Sequence, residues 1–233
     1  MVHEGMPAMP GYTIELNLEG RTAVVVGLGA VGRRKAAGLL AAGARVVGVD
    51  PMASTTGGEP LAGIEVLAEP YRDQHLSGAF LAVAAATPEV NRRVVRDAKG
   101  LGILGCSASD PGEGDFVVPA TWTSGPLVLT VSTSGASPAL AAALRDRAVE
   151  ALGPAAAGLA AILVELRPLV LARVPDSAAR RPLFLEWADP KWLALWQEEG
   201  PEAVRRDLVR RIEQAAASGP ADSAHGREDR PEP

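Results

Sequence analysis

One cysteine in 233 residues excludes an internal disulfide framework and fits a reducing compartment. Three histidines, His3, His75 and His225, are scattered along the chain, so no clustered ligand set for a resident metal is expected. Basic residues are not in excess: 23 Lys and Arg against 28 Asp and Glu leave a net charge of −5. Nothing there would neutralise a nucleic-acid backbone, so nucleic acid is not an expected partner. Long hydrophobic runs are lacking as well. The uncharged apolar run Ala155–Val164 is about half of the roughly 20 residues a membrane helix needs, so no membrane span is expected. The opening MVHEGMPAMPG carries an early acid and no apolar segment, unlike a secretory signal. A soluble cytoplasmic protein is the expectation.

What is present reads as a globular α/β chain. Hydrophobic residues make up 47% and charged residues 22%, the balance of a folded protein. Residues 1–11 read as a loose leader, and Tyr12–Leu18 as a short strand or lead-in. TAVVV at Thr22–Val26 is uncharged and β-branched, as a parallel strand buried on both faces should be. A helix over Val31–Ala42 ends at Gly43, and RVVGV at Arg45–Val49 is a second strand closed by Asp50 and Pro51. Strands are expected at Ile64–Ala68, Phe80–Ala85 and Ile103–Ser107, with a helix at Val90–Lys99. Strand and helix alternate at short spacing, which predicts a Rossmann-like parallel sheet. After about residue 113 the pattern changes to one strand, Leu127–Ser132, then SGASP and a helix from Pro138 to about Leu152. From Pro154 to Ala217 helices follow, with prolines 168, 175, 182, 190 and 201 expected to cut them short. Trp192 and Trp196 share one helix face, and the tail from residue 218 lacks apolar periodicity, as a disordered segment does.

The chemistry begins at Gly27-Leu28-Gly29-Ala30-Val31-Gly32, directly after the first strand and at the start of a helix. In a dinucleotide fingerprint Gly27 permits the tight turn, Gly29 the approach of a pyrophosphate, and Gly32 close helix–strand packing. The anion would sit against the N–H groups that open the helix, at Ala30 and Val31. Asp50, eighteen residues beyond Gly32, can accept from both ribose hydroxyls and would repel a 2′-phosphate, so NAD is expected over NADP. Arg33, Arg34 and Lys35 fall in the first helical turn. A solvated face accounts for them, although cations there oppose the helix dipole and hint at an anionic ligand.

Four segments carry a resemblance: IELNLEGRTAVVVGLGAVGRRKAAGLLAAGARV, AFLAVAAATPEVNRRV, GILGCSASD and DFVVPATWTSGPLVLTVSTSGASPALAAALRDRAVE. Over roughly residues 13–152 the chain resembles the precorrin-2 dehydrogenase/sirohydrochlorin ferrochelatase family, which also forms the N-terminal part of multifunctional siroheme synthases. The later stretch, including PDSAARRPLFLE, resembles that family's helical domain more loosely. The resemblance implies a nucleotide-binding domain over 12–113, a dimerisation region over 114–152 and a helical domain over 153–217, assembled as a homodimer. It implies NAD-dependent oxidation of the tetrapyrrole precorrin-2 to sirohydrochlorin, and in some members insertion of ferrous iron. The family's important aspartate, a general base in related enzymes, falls on Asp110. Its serine-rich turn falls on Ser132, Thr133, Ser134, Gly135 and Ser137, where a substrate carboxylate could be held. Thr133 stands where relatives often carry serine, so a hydroxyl persists. The turn after the fourth strand is shortened to Ala86-Thr87-Pro88-Glu89-Val90-Asn91. There Thr87 is a candidate on the nicotinamide side, while Asn91 is expected to cap or pack.

Residue chemistry leaves alternatives beside each role. Asp110-Pro111-Gly112 also suits a plain turn, SGASP also suits a glycine turn with Ser137 as helix cap, and Asp115 is a nearby competitor for the base. Cys106, inside a predicted strand, is expected to fill core. Chelation would need only a base and room for the ion, since the tetrapyrrole supplies the ligands; Asp110 could serve, so iron insertion stays open. A non-catalytic NAD-sensing regulatory domain would keep the glycine loop and Asp50 but would not need SGASP. A third reading, in which the C-terminal helices dock a partner, rests on Trp187, Trp192 and Trp196, which core packing also explains.

Overall fold

The computed structural model describes residues 11–53 and 62–217; the leader before Gly11, the tail from residue 218, His3 and His225 lie outside them. The chain divides after Val118 into two compact units, each with its own core.

In the first unit five strands pair in parallel: β1 (Thr22–Val26), β2 (Arg45–Val49), β3 (Ile64–Leu67), β4 (Leu81–Ala84) and β5 (Leu104–Ser107). Their order is β3-β2-β1-β4-β5, with Val24 opposite Val47 on one side and Ala82 on the other. Helix α1 (Ala30–Ala41) links β1 to β2, and α2 (Pro88–Gly100) links β4 to β5. The chain leaves β1 in one direction and β4 in the other, so right-handed crossovers place α1 and α2 on opposite faces. Strand alternation then explains the sequence. Ala23, Val25, Leu81, Val83 and Cys106 join Ala36 of α1 in one core layer. Val24, Val26, Ala82 and Ala84 join Val94 and Ala98 of α2 in the other. A strand buried on both faces has no polar side to show, hence the uninterrupted TAVVV. Each fully buried valine or leucine contributes about 1.5–3 kcal/mol of burial.

Residues 12–18 form no strand; Leu18 is buried under the sheet while Tyr12 and Ile14 are exposed. The first unit also runs past β5. Asp115 donates its N–H to the Gly105 carbonyl (2.7 Å) and accepts the Gly105 N–H at Oδ2 (2.9 Å). This segment covers the open edge of β5, which would otherwise present unpaired backbone groups.

The second unit opens with a hairpin that the sequence reading did not contain. β6 (Ala120–Ser124) pairs antiparallel with β7 (Leu127–Val131) across Gly125 and Pro126. Helix α3 (Pro138–Arg173) follows and breaks at Gly153, whose φ is +66°. Pro154 restarts it at a position where a missing N–H costs nothing. Helices α4 (Ser177–Glu186), α5 (Lys191–Glu199) and α6 (Pro201–Ala217) complete the unit. Contrary to expectation, Pro168 and Pro182 lie inside helices rather than ending them. Pro190 and Pro201 do mark starts, as cap of α5 and first residue of α6.

By length and composition α3 is long and apolar enough to cross a membrane, with a mean hydropathy of 1.8 over 18 residues. The uncharged run Ala155–Val164 is only one part of this helix, which is why no span is expected from that run alone. In this fold Ala155, Leu159, Ile162, Leu166 and Val170 are buried. The last four of them pack with Leu183, Trp187, Trp192, Val204, Leu208 and Ile212. Trp192 donates Nε1–H to the Glu186 carbonyl (2.8 Å), and Trp196 lies against Gly158 of α3.

Gly158 yields a first prediction. Alanine gains about 1 kcal/mol of helix propensity over glycine, but a Cβ here would overlap the Trp196 ring. Overpacking at about 1–3 kcal/mol outweighs that gain. Gly158→Ala should therefore lower stability, measured as a reduced denaturant midpoint in urea unfolding.

Candidate functional site

The carboxyl ends of β1, β2, β4 and β5 meet at one edge of the first sheet, where ligands bind in open α/β folds. The loop after β1 turns at Gly27, whose φ of +91° suits only glycine. A Cβ there would also lie 2.5 Å from the Ala85 carbonyl oxygen after β4. Gly32 packs its Cα against the Gly27 carbonyl, leaving no room for a side chain. Gly29, by contrast, faces open space and caps α1 without any side-chain hydrogen bond. Ala30 and Val31 are exposed at the first turn, which holds no acid. An uncapped helix start beneath an open glycine is a cradle for a phosphate group.

Asp50 closes this loop. Its Oδ2 accepts the Leu28 N–H at 2.7 Å and its Oδ1 the Met52 N–H at 2.8 Å. The carboxylate is therefore aimed at the glycine loop by two backbone donors, with lone pairs left over for ribose hydroxyls. Arg33 does more than line a solvated face: its Nε donates to the Leu28 carbonyl at 2.8 Å and steadies the same turn.

On the other side of the loop stand the ends of β4 and β5. Thr87 is exposed and caps α2, its hydroxyl accepting the Val90 N–H at 3.5 Å. Asn91 is buried and bridges elements: Oδ1 accepts the Ala86 N–H (2.9 Å), and Nδ2 donates to Ser109 Oγ (3.0 Å). Asp110 is exposed, and its Oδ1 accepts the Gly112 N–H at 2.8 Å, while its carbonyl accepts the Glu113 N–H. Asp110 thus forms the turn that its sequence suggested and still presents a carboxylate at the ligand edge. Asp115, the competitor, is committed to Gly105 on the β5 edge. The sequence reading missed Ser107, Ser109, Arg92 and Glu113. Ser107 Oγ donates to Glu113 Oε2 (3.3 Å), and Arg92 Nε pairs with Glu113 Oε1 at 3.2 Å.

Gly27, Gly29, Ala30, Val31, Gly32, Asp50, Thr87 and Asp110 are thus gathered at one sheet edge. Ser132, Thr133, Ser134 and Ser137 belong to the second unit. There Thr133 Oγ1 accepts the Ser137 N–H (3.0 Å) and donates to the Ser137 carbonyl (3.1 Å). Ser137 Oγ accepts the Leu140 N–H at the start of α3, and Ser132 Oγ accepts the Ser134 N–H. Ser134 adopts φ +51° and Gly135 φ +85°. The loop is ordered by its own hydroxyls before any ligand arrives.

Among the described residues no three His, Cys, Asp or Glu side chains cluster to hold a metal ion. His75, half-buried, is held between Glu69 and the Arg72 N–H.

These features define the first unit as an NAD(P)-binding domain of the doubly wound kind. A family model described as "Putative NAD(P)-binding" matches residues 14–120. The chain is 31% identical over 211 residues to a siroheme synthase of Neisseria meningitidis, covering 89% of this chain and 44% of that protein. It is 34% identical over 220 residues to a siroheme synthase of Gluconacetobacter diazotrophicus, covering 90% and 46%. Among solved structures it is similar to one described as "SirC, precorrin-2 dehydrogenase", with 25% identity and a TM-score of 0.68 over 88% of this chain and 100% of that one. The first unit thus matches a putative NAD(P)-binding family, and the chain is similar to these siroheme synthases and to that precorrin-2 dehydrogenase; it spans less than half the length of the two siroheme synthases.

Cys106 is 2% exposed, and burial pushes its thiol up, with Lys35 opposing. A protonated, inaccessible thiol is a poor nucleophile. The native protein should therefore leave a chromogenic disulfide reagent essentially unreacted, and release one thiol equivalent on unfolding.

Proposed function

We propose that this chain oxidises precorrin-2 to sirohydrochlorin with NAD as the hydride acceptor. The observation that carries this reading is the pairing, at one sheet edge, of Asp50 aimed at an uncapped glycine loop with an exposed Asp110 after β5. The name of the SirC neighbour, matched over all of its length, supports the same substrate.

When bound, a nicotinamide supplies a hydride acceptor. The remaining work belongs to side chains and backbone of this chain. Gly29 and the N–H groups opening α1 hold the pyrophosphate, and Asp50 accepts from the ribose hydroxyls. Its negative charge disfavours a 2′-phosphate, hence NAD rather than NADP. Asp110 takes the proton that substrate loses alongside the hydride. Its carboxylate is oriented for this by the Gly112 N–H. Ser132, Thr133, Ser134 and Ser137 bind carboxylates of the tetrapyrrole at the start of α3, where helix N–H groups favour anions. Assembly as a homodimer in the cytoplasm accompanies this reading, as does the division of the second unit into a pairing region and a helical domain at the Gly153 break. Ferrous iron, where it is inserted, is a substrate that Asp110 would assist by removing pyrrole protons. A purely nucleotide-sensing domain would account for Asp50 but would have no use for Asp110 or the pre-ordered serine loop.

Anaerobic incubation with precorrin-2 and NAD should yield NADH and sirohydrochlorin, read from absorbance spectra; nucleotide binding without any turnover would favour the sensing role. Asp110→Ala should lower turnover by roughly 10²–10⁴ and leave NAD affinity as it is, since the residue sits beyond the nucleotide loop. Unchanged turnover would remove Asp110 from the mechanism.

Asp50→Ala should weaken NAD by about tenfold or more, the scale of hydrogen bonds to a charged group, and bring NAD and NADP affinities together. Calorimetric titration with both dinucleotides measures this. Equal affinities in the parent protein would refute the role of that acid.

A further inference from the structure

Asn91 and Ser107 are the buried polar side chains among the described residues, at 1% and 4% exposure. Their hydrogen bonds run one way. The Asn91 amide pairs with the Ala86 peptide, accepting its N–H at Oδ1 (2.9 Å) and donating Nδ2–H to its carbonyl (3.4 Å). That pairing settles which end of the amide carries hydrogens, so Nδ2 donates to Ser109 Oγ at 3.0 Å. Ser107 Oγ accepts the Asp110 N–H (3.2 Å) and spends its one proton on Glu113 Oε2 (3.3 Å). The 3.1 Å contact between the two serine oxygens must then be a bond from Ser109 to Ser107. Ser109 has given away its only proton and used one lone pair on Asn91. What an exposed Ser109 can offer a ligand is its second lone pair. The polarity is imposed from the far end: Glu113, anchored by Arg92 at 3.2 Å, is a carboxylate that accepts and cannot donate.

We propose that Ser109 accepts a hydrogen bond from the carboxamide N–H of the nicotinamide, and that Glu113 is the positioning residue that keeps Ser109 an acceptor through Ser107. This rests on the nucleotide site described under Proposed function. With the adenosine ribose at Asp50 after β2, the other half of an extended dinucleotide passes over the ends of β4 and β5. The carboxamide offers the only N–H donors on that half. A ring held by its carboxamide has a fixed face toward the substrate, so an acceptor set at Ser109 selects a carboxamide over a ketone.

The test is equilibrium binding, by calorimetry on the full chain without substrate, of NAD and of acetylpyridine adenine dinucleotide, in which a methyl ketone replaces the carboxamide. The parent should bind NAD about three- to tenfold more tightly, the scale of one hydrogen bond. Ser109→Ala should bind the two equally. Glu113→Gln places an amide donor beside Ser107 and allows the chain to turn round, so that Ser109 offers a proton; the preference should vanish or pass to the ketone. Ser107→Thr keeps the hydroxyl and should keep the preference for NAD. Equal binding by the parent, or an undiminished preference in Ser109→Ala or Glu113→Gln, overturns the proposal while leaving the nucleotide site standing. Failure of both dinucleotides to bind overturns both readings.

Discussion

The hydrogen bond from the Leu28 N–H to Asp50 Oδ2 is the contact on which the candidate site depends. It joins the end of β2 to the loop leaving β1, and so aims the Asp50 carboxylate at the open backbone around Gly29. The loop can be reached only because Gly27 turns with positive φ and Gly32 lets α1 lie against it. Leu28, pressed on Gly48 and fully buried, pins the turn from beneath. A loop held from that many sides has little conformational entropy left to lose when an anion binds, which is how a few backbone N–H groups suffice to hold a phosphate.

The opposite half of the edge is held by side chains instead. Ala86, Asn91, Ser109, Ser107 and Glu113 tie the loop after β4 to the loop after β5. Two of these groups are buried, so each missing partner would cost a desolvated polar atom. The network therefore has a discrete geometry and a discrete polarity. Residues 107–115 divide their labour within one short segment. Ser107 and Glu113 brace the loops, Asp110 stays exposed, and Asp115 covers the free edge of β5.

The glycine loop, Asp50 and the parallel strands are legible in sequence because their physics is local. A strand buried on both faces writes itself as an apolar run, and a phosphate turn needs glycines at fixed spacing. β6 is illegible for the converse reason. ATWTS alternates half-buried with exposed positions, and three of its five residues carry hydroxyls, so it resembles a loop until β7 is beside it. Asn91 and Ser109 are eighteen residues apart, and no periodicity announces that α2 and the end of β5 bring them within 3.0 Å. Pro168 and Pro182 misled because proline ends a helix only where the orphaned carbonyl cannot be satisfied elsewhere. The carbonyl orphaned by Pro168 belongs to Val164, which is 59% exposed and so within reach of water.

A lone aspartate in a turn and a lone serine in a loop are both ordinary, and neither identifies a site. What distinguishes Asp110 and Ser109 is that each has one hydrogen-bonding capacity already spent on the protein. Asp110 is oriented by the Gly112 N–H, and Ser109 is stripped of its proton-donating ability by the chain that ends at Glu113. Spending those bonds before a ligand arrives removes the cost of choosing an orientation on binding. It also makes the two groups chemically distinct, one a charged acceptor suited to a proton, the other a neutral acceptor suited to an N–H. That difference is set by Arg92, Glu113 and Asn91, residues that need never touch a ligand themselves.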